Sequence, residues 1–190
     1  MMRLYAVRIA EGGSATSNLK FQDLLKDIIA FGVKPMSADS VRIDASGFKP
    51  KPGLGHMVDD PKAEKGKSIA LSPNHYEWSA TFPLRSVAYD SEVDYLVRVR
   101  LRADMKAHAP ANSEVLWSGI WDPLQKCGLG DLALKAKDVK DGWAWYDVCT
   151  LRLNDSAYLW IAPGRFDRGK YAASPSHNGV WVDCIEIVRK

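Results

Sequence analysis

Between Val93 and Ala103 apolar and polar residues alternate without a break. Val93, Tyr95, Val97, Val99, Leu101 and Ala103 fall on one side of an extended chain, and Asp94, Leu96, Arg98, Arg100 and Arg102 on the other. A period of two sends successive side chains to opposite faces of a strand, so this segment needs a core on one side and water on the other. Tyr76, Trp78, Ala80, Phe82 and Leu84 alternate in the same way, and further strands are expected at 41–48, 67–71, 114–121, 132–139, 145–153, 157–162 and 180–188. Gly, Pro, Asn and Asp turns separate these segments at short intervals, and no long helical pattern lies between them. Roughly nine strands so arranged describe an antiparallel sandwich, not an alternation of strands and helices.

The first forty residues read differently. After the flexible Glu11-Gly12-Gly13-Ser14, apolar positions 21, 24, 25, 28 and 29 recur at helical spacing, with Ser17 or Asn18 as N-cap and Gly32 then Pro35 as stop signals. The chain therefore divides into an N-terminal segment, 1–40, with one amphipathic helix, and a β-sandwich domain, 41–190. The helix either packs as a remnant of a preceding domain or serves a partner.

An apolar fraction of 46% supplies a sizeable core, and 26 basic against 23 acidic residues leave a net charge of only +3. A balance so even creates no large single-sign field, which argues against nucleic acid as a partner. Three cysteines, Cys127, Cys149 and Cys184, form neither an even disulfide framework nor a C-x-x-C metal pair. No apolar run reaches the ~18 residues of a membrane span, and Met1 to Ala10 is too short and mixed for a secretory signal. The expectation is a soluble chain whose parent is extracellular or periplasmic, any export signal lying on a segment not present here.

Motifs for bond chemistry are missing. There is no Gly-rich phosphate loop, no G-x-S-x-G elbow and no H-E-x-x-H. The four histidines, His56, His75, His108 and His177, fall in expected loops and read as solvated residues. Carboxylates are numerous, but none is singled out as one of the pair that glycoside hydrolysis needs.

Asp183 is more informative. In Val180-Trp181-Val182-Asp183-Cys184-Ile185-Glu186-Ile187 it shares strand parity with Trp181, Ile185 and Ile187, so its carboxylate is expected to point at an apolar layer. A carboxylate there needs a cation or several donors. Ca²⁺ with oxygen ligands from Asp183 and an early-strand acid such as Asp44 would meet the need; hydrogen bonds from loop amides or an arginine would do so equally.

Four segments in order, Asp44-Ala45-Ser46-Gly47-Phe48, Asp59 to Ile69, Tyr95 to Ala103 and Val182 to Ile187, resemble the landmarks of galactose-binding-like jelly rolls. Over roughly the last 150 residues the chain is similar to carbohydrate-binding modules of families six and thirty-five, which are appended to polysaccharide-degrading enzymes. The resemblance implies an all-β jelly-roll sandwich of two antiparallel sheets that binds sugar without catalysis. It also implies a structural Ca²⁺ held by Asp44 and Asp183. The family's Glu-Ala-Glu run is Asp44-Ala45-Ser46 here, one carboxylate short. Its sugar-contacting asparagine two residues before the final aspartate is Trp181, with Asn178 nearby but out of register.

Physics then selects the ligand candidates. Sugars present apolar C–H faces and polar rims, which calls for aromatic platforms beside amide, carboxylate or guanidinium groups. Seven Trp and seven Tyr, nearly all from Tyr76 onward, have two uses, filling a sandwich core, which accounts for most of them, and presenting flat faces to a ligand. The candidates are Trp117 and Trp121, Trp143 and Trp145 beside the Asp141-Gly142 turn, and Arg165, Tyr171 and Asn178 in or next to the long loop from Pro163 to Gly179. Arg98, Arg100 and Arg102 form a stripe that reads first as a solvated face offset by neighbouring acids, and second as a reader of acidic polysaccharide. The leading expectation is a carbohydrate-binding module, with a catalytic domain of its parent as a further partner. The alternatives are a small jelly-roll hydrolase or lyase, and an accessory domain without a ligand.

Overall fold

The structure, a computed structural model, describes residues 39–72, 75, 77–164 and 174–190. The expected helix, Tyr76, Arg165 and Tyr171 lie outside them.

Eleven strands occur among the described residues: β1 (Ser40–Asp44), β2 (Lys49–Pro50), β3 (Gly55–Asp59), β4 (Lys67–Leu71), β5 (Ala80–Pro83), β6 (Asp94–Met105), β7 (Glu114–Asp122), β8 (Cys127–Lys135), β9 (Ala144–Arg152), β10 (Tyr158–Pro163) and β11 (His177–Arg189). A six-stranded sheet runs β3-β4-β11-β6-β9, with β1 also on β11, and a five-stranded sheet runs β2-β5-β10-β7-β8. All pairings are antiparallel. From β4 to β11 the chain changes sheet at each step except β7 to β8, and this order makes the sandwich a jelly roll.

The alternation in β6 works as the sequence requires. Tyr95, Val97, Val99 and Leu101 are wholly buried between the sheets with Ile69, Val182, Ile185 and Ile187 from the same sheet. Phe82, Leu116, Ile120, Leu159 and Ile161 face them from the other, with Leu84 from the short 3₁₀ turn after β5. Each such side chain contributes about 1.5–3 kcal/mol by leaving water, which is why the parity of each strand is not free to slip.

Two strands, β2 and β3, and half of a third escaped the sequence pattern. β3 carries only Met57 and Val58 as apolar residues, and the first half of β8, Cys127-Gly128-Leu129-Gly130, reads as a loop. Pairing with β4 and β7 supplies what propensity lacks. Gly130 sits at φ 150°, and a Cβ there would come within 2.6 Å of Cys149, so the glycine lets β8 approach β9.

Two histidines are not the solvated residues the sequence implied. His75 and His177 are buried. His75 Nε2 donates to the Leu54 carbonyl and Nδ1 accepts from the Glu77 N–H, whereas His177 Nδ1 meets the Ser174 and Ser176 hydroxyls at 2.9 and 3.0 Å. Burial, aided by the Lys106 cation, depresses His177 to about 4. An imidazole held neutral in the fold but protonated on unfolding favours the folded state above its unfolded value near 6.5. That advantage disappears as the pH falls from there toward 4. Urea curves recorded at about pH 7 and about pH 4 should differ by up to about 3 kcal/mol for this reason, and His177→Gln should flatten the difference.

Candidate functional site

The outer face of the five-stranded sheet is aromatic. In β7 the core takes Leu116, Ser118 and Ile120, which leaves Trp117, Gly119 and Trp121 on the far side; in β10 Leu159 and Ile161 go inward and Tyr158 and Trp160 outward. Register places Trp121 opposite Tyr158, Gly119 opposite Trp160 and Trp117 opposite Ala162. Trp78, just before β5, joins them. Its ring stacks on Trp160 at 5.5 Å and 15°, meets Tyr158 edge-on at 5.6 Å and lies 6.4 Å from Trp121. Trp117 closes on Trp160 from the other side at 4.7 Å, near perpendicular.

This cluster is fixed from beneath. Trp160 is only 5% exposed and forms the base, while Trp78, Trp117, Trp121 and Tyr158 are half-buried around it. A Cβ at Gly119 would lie 2.8 Å from the Trp160 ring and 2.9 Å from Asp131 Cβ, so only glycine admits the indole against β7. The Trp117 Nε1–H donates to Asp131 Oδ2 at 2.7 Å, which sets that ring's tilt. Burial pushes the Tyr158 phenol up, so its hydroxyl stays protonated and can donate as well as accept. Beside Trp78 opens a hollow of about 470 Å³ lined by Lys49, Lys51, Glu77, Trp78, Ala80 and Thr81. Lys51 pairs with Glu77 at 2.5 Å.

The expected ligand residues therefore separate. Trp117 and Trp121 lie together on this face. Trp143 lies on the six-stranded sheet, beside a second hollow of about 540 Å³ whose walls include Asp60, Lys62, Arg102, Asp104 and Trp181. Asn178 is exposed and donates to Asp104 at 3.1 Å, at the margin of that second hollow. Trp78, Tyr158 and Trp160 were not singled out from the sequence. The signal for the last two was legible, because two aromatics on the side of β10 opposite Leu159 and Ile161 have no core to enter.

On the six-stranded sheet every arginine of the stripe has an acid. Arg98 faces Asp147 and Glu186 at 3.5 and 3.6 Å, Arg100 binds Asp183, and Arg102 reaches Asp60 at 2.8 Å. Rings cover the guanidinium groups: Trp145 over Arg42 and Arg98, Trp143 over Arg100 and Arg102, and Trp181 over Arg102 at 3.9 Å. The stripe is thus a neutralised layer of ion pairs under tryptophans.

Asp183 departs from the expected parity. A bulge between Val182 and Cys184 shifts the register, so Trp181 stands opposite Arg102 while Ile185 and Ile187 turn into the core. The Asp183 side chain, fully buried, accepts from the Glu64 N–H at 3.1 and 3.2 Å and pairs with the Arg100 guanidinium. Asp44 instead caps a short 3₁₀ turn by accepting from the N–H and hydroxyl of Ser46. Glu64, Asp183 and Cys184 are the residues whose ligand atoms gather within 4.8 Å of one another. They do not fit Ca²⁺, which wants six to eight oxygens. Cys184 is a thiol pushed up to about 12, chiefly by burial, and a guanidinium already meets the Asp183 carboxylate.

No protein-family model and no curated protein matches the chain. Solved structures do. An arabinose-bound α-L-arabinofuranosidase of glycoside hydrolase family 51 is 11% identical at TM-score 0.48, over 76% of this chain and 23% of that one. The family-22 module and catalytic domain of a Clostridium thermocellum xylanase, complexed with xylohexaose, are 12% identical at TM-score 0.47, over 80% and 28%. A carbohydrate-binding module from a Cellvibrio mixtus lichenase, in complex with cellotriose, is 12% identical at TM-score 0.45, over 79% and 97%. The chain thus spans about a quarter of the two larger proteins. Likenesses of this size carry no functional conclusion by themselves. Among the described residues no helix is long and apolar enough to cross a membrane.

Proposed function

We propose that the β-sandwich is a non-catalytic carbohydrate-binding module that takes a glycan on the outer face of its five-stranded sheet. The observation that carries this reading is the fixed aromatic surface of Trp78, Trp117, Trp121 and Tyr158 around Trp160. A pyranose lays its C–H face on such rings at little entropic cost, because the rings are already held. Its hydroxyls find Lys49, Lys51, Glu77 and the Tyr158 hydroxyl at the rim. Binding is also what the acids permit: the buried carboxylates Asp60, Asp122, Asp183 and Glu186 are each engaged, by Arg102, by turn amides after β7 with Asn154 and Ser156 from the β9–β10 loop, by Arg100, and by Arg42 with Arg98. On this reading the ligand is a polysaccharide outside the cytoplasm, and a catalytic domain is the natural covalent neighbour. Arg165 and Tyr171 belong to the proposal only as further loop contacts.

Trp78→Ala and Trp121→Ala should each weaken binding to a recognised polysaccharide by tenfold or more, the cost of truncating an anchoring aromatic. Trp145→Ala, on the other sheet, should leave it within about twofold. Affinity electrophoresis and calorimetry over a panel of xylan, cellulose, laminarin, dextran and polygalacturonate measure this. Binding indifferent to both Trp78 and Trp121, or no binding to any of the panel, would overturn the reading.

A further inference from the structure

Lys49 stands out on the aromatic face. Cross-strand register sets Lys49 beside Thr81, Thr81 beside Trp160, Trp160 beside Gly119 and Gly119 beside Asp131, so these five residues form one row across the five strands. The row has a cation at one end, tryptophan in the middle and a carboxylate at the other. Neighbouring strands lie about 4.8 Å apart, which puts Lys49 and Asp131 about 19 Å from each other, well beyond the ~8 Å screening length of physiological salt. Asp131 already holds the Trp117 indole. At the nearer end, Glu77 is paired with Lys51. Among the described residues no carboxylate lies within ion-pair distance of the Lys49 ammonium, which is exposed on the wall of the hollow beside Trp78.

The contrast with the other face is instructive. Every arginine of the six-stranded sheet is matched by an acid, so the protein neutralises cations where it has no need of them free. Lys49 is left without such a match next to a ring that offers a stacking surface. We infer that the site is built for an anionic glycan: a sugar lies on Trp78, and its carboxylate or sulfate reaches into the hollow to meet the Lys49 ammonium. The lysine side chain, a flexible stem with three donors, accepts either anion without the planar match that arginine would impose. The inference rests on the glycan-binding reading above and narrows it to a ligand class.

The test uses matched pairs: polygalacturonate against its fully methyl-esterified form, and dextran sulfate against dextran, each titrated at low and high salt. In at least one pair the anionic member should bind about tenfold more tightly at low salt, the scale of one charge-assisted contact, and high salt should narrow the gap. A preference in the first pair assigns the anion as carboxylate, in the second as sulfate. Lys49→Met, which keeps the alkyl stem, should abolish the preference by lowering affinity for the anionic member about tenfold more than for the neutral one. Lys137→Met, remote on the short turn after β8, should change nothing. Equal binding within both pairs, or a preference that survives Lys49→Met, overturns the anionic ligand and leaves the glycan module intact; no binding to any polysaccharide overturns both.

Discussion

Arg100→Met is expected to cost about 3–5 kcal/mol of stability at neutral pH, because it leaves the Asp183 carboxylate buried without its cation. The Asp183 side chain has no exposure, and among the described residues Arg100 is the one cation paired with it, beside the Glu64 N–H. Burial already lifts the Asp183 carboxyl above its ordinary value, against the downward pull of the Glu64 amide and Arg100. A pair in that condition adds little net stability compared with water, yet breaking it is expensive. Without the guanidinium the carboxyl rises further. A carboxyl whose folded pKa exceeds its unfolded one weakens the fold as pH climbs through the folded value, so the loss should be greatest near neutrality and shrink on acidification as Asp183 takes up a proton. Urea unfolding of wild type and variant side by side at each pH isolates this term from the His177 effect. Adding Asp183→Asn to Arg100→Met should recover part of the loss. A deficit independent of pH would show that Arg100 acts through its stacking with Trp143 and not through Asp183.

Trp160→Ala should be the second large effect, about 3–5 kcal/mol for truncating a buried indole, together with loss of glycan binding in a protein that still folds. Trp160 underlies Trp78 and Trp117 at 5.5 and 4.7 Å. Deleting it removes the layer that holds both rings. Trp160→Phe should restore most of the stability and only part of the binding, since a phenyl fills less of the space against Gly119. Thermal denaturation and calorimetric titration on the same preparations separate the two readouts. Full binding by a folded Trp160→Ala protein would mean that the outer rings are oriented by something else.

Much of this architecture follows from residue order alone, and the exceptions have identifiable causes. β6 and β4 were legible because their cores are β-branched and regular. The first half of β8 was not, since glycine removes the pattern where close approach to Cys149 requires the absence of a side chain. Asp183 was legible as a buried acid needing a partner, but the bulge beside it inverts the parity of its neighbours, and no local feature announces a bulge. Glu64 enters through a loop amide, which sequence cannot place. Trp117 and Trp121 were found as ligand candidates, whereas Trp78 was assigned to a strand's inner face that begins only at Ala80. Its ring turns outward before the alternation starts.

The shared flank of β11 bears on how the domain carries load. β1 pairs from Ser40 opposite Val188 to Asp44 opposite Cys184, whereas β4 pairs only with Val180 to Val182, beyond the bulge. The first and last strands of the domain therefore end side by side on one layer, and the aromatic face belongs to the other. Tension applied through Ser40 and Arg189 would unzip β1 from β11 one bond at a time, while the ring-bearing layer kept its shape and its grip.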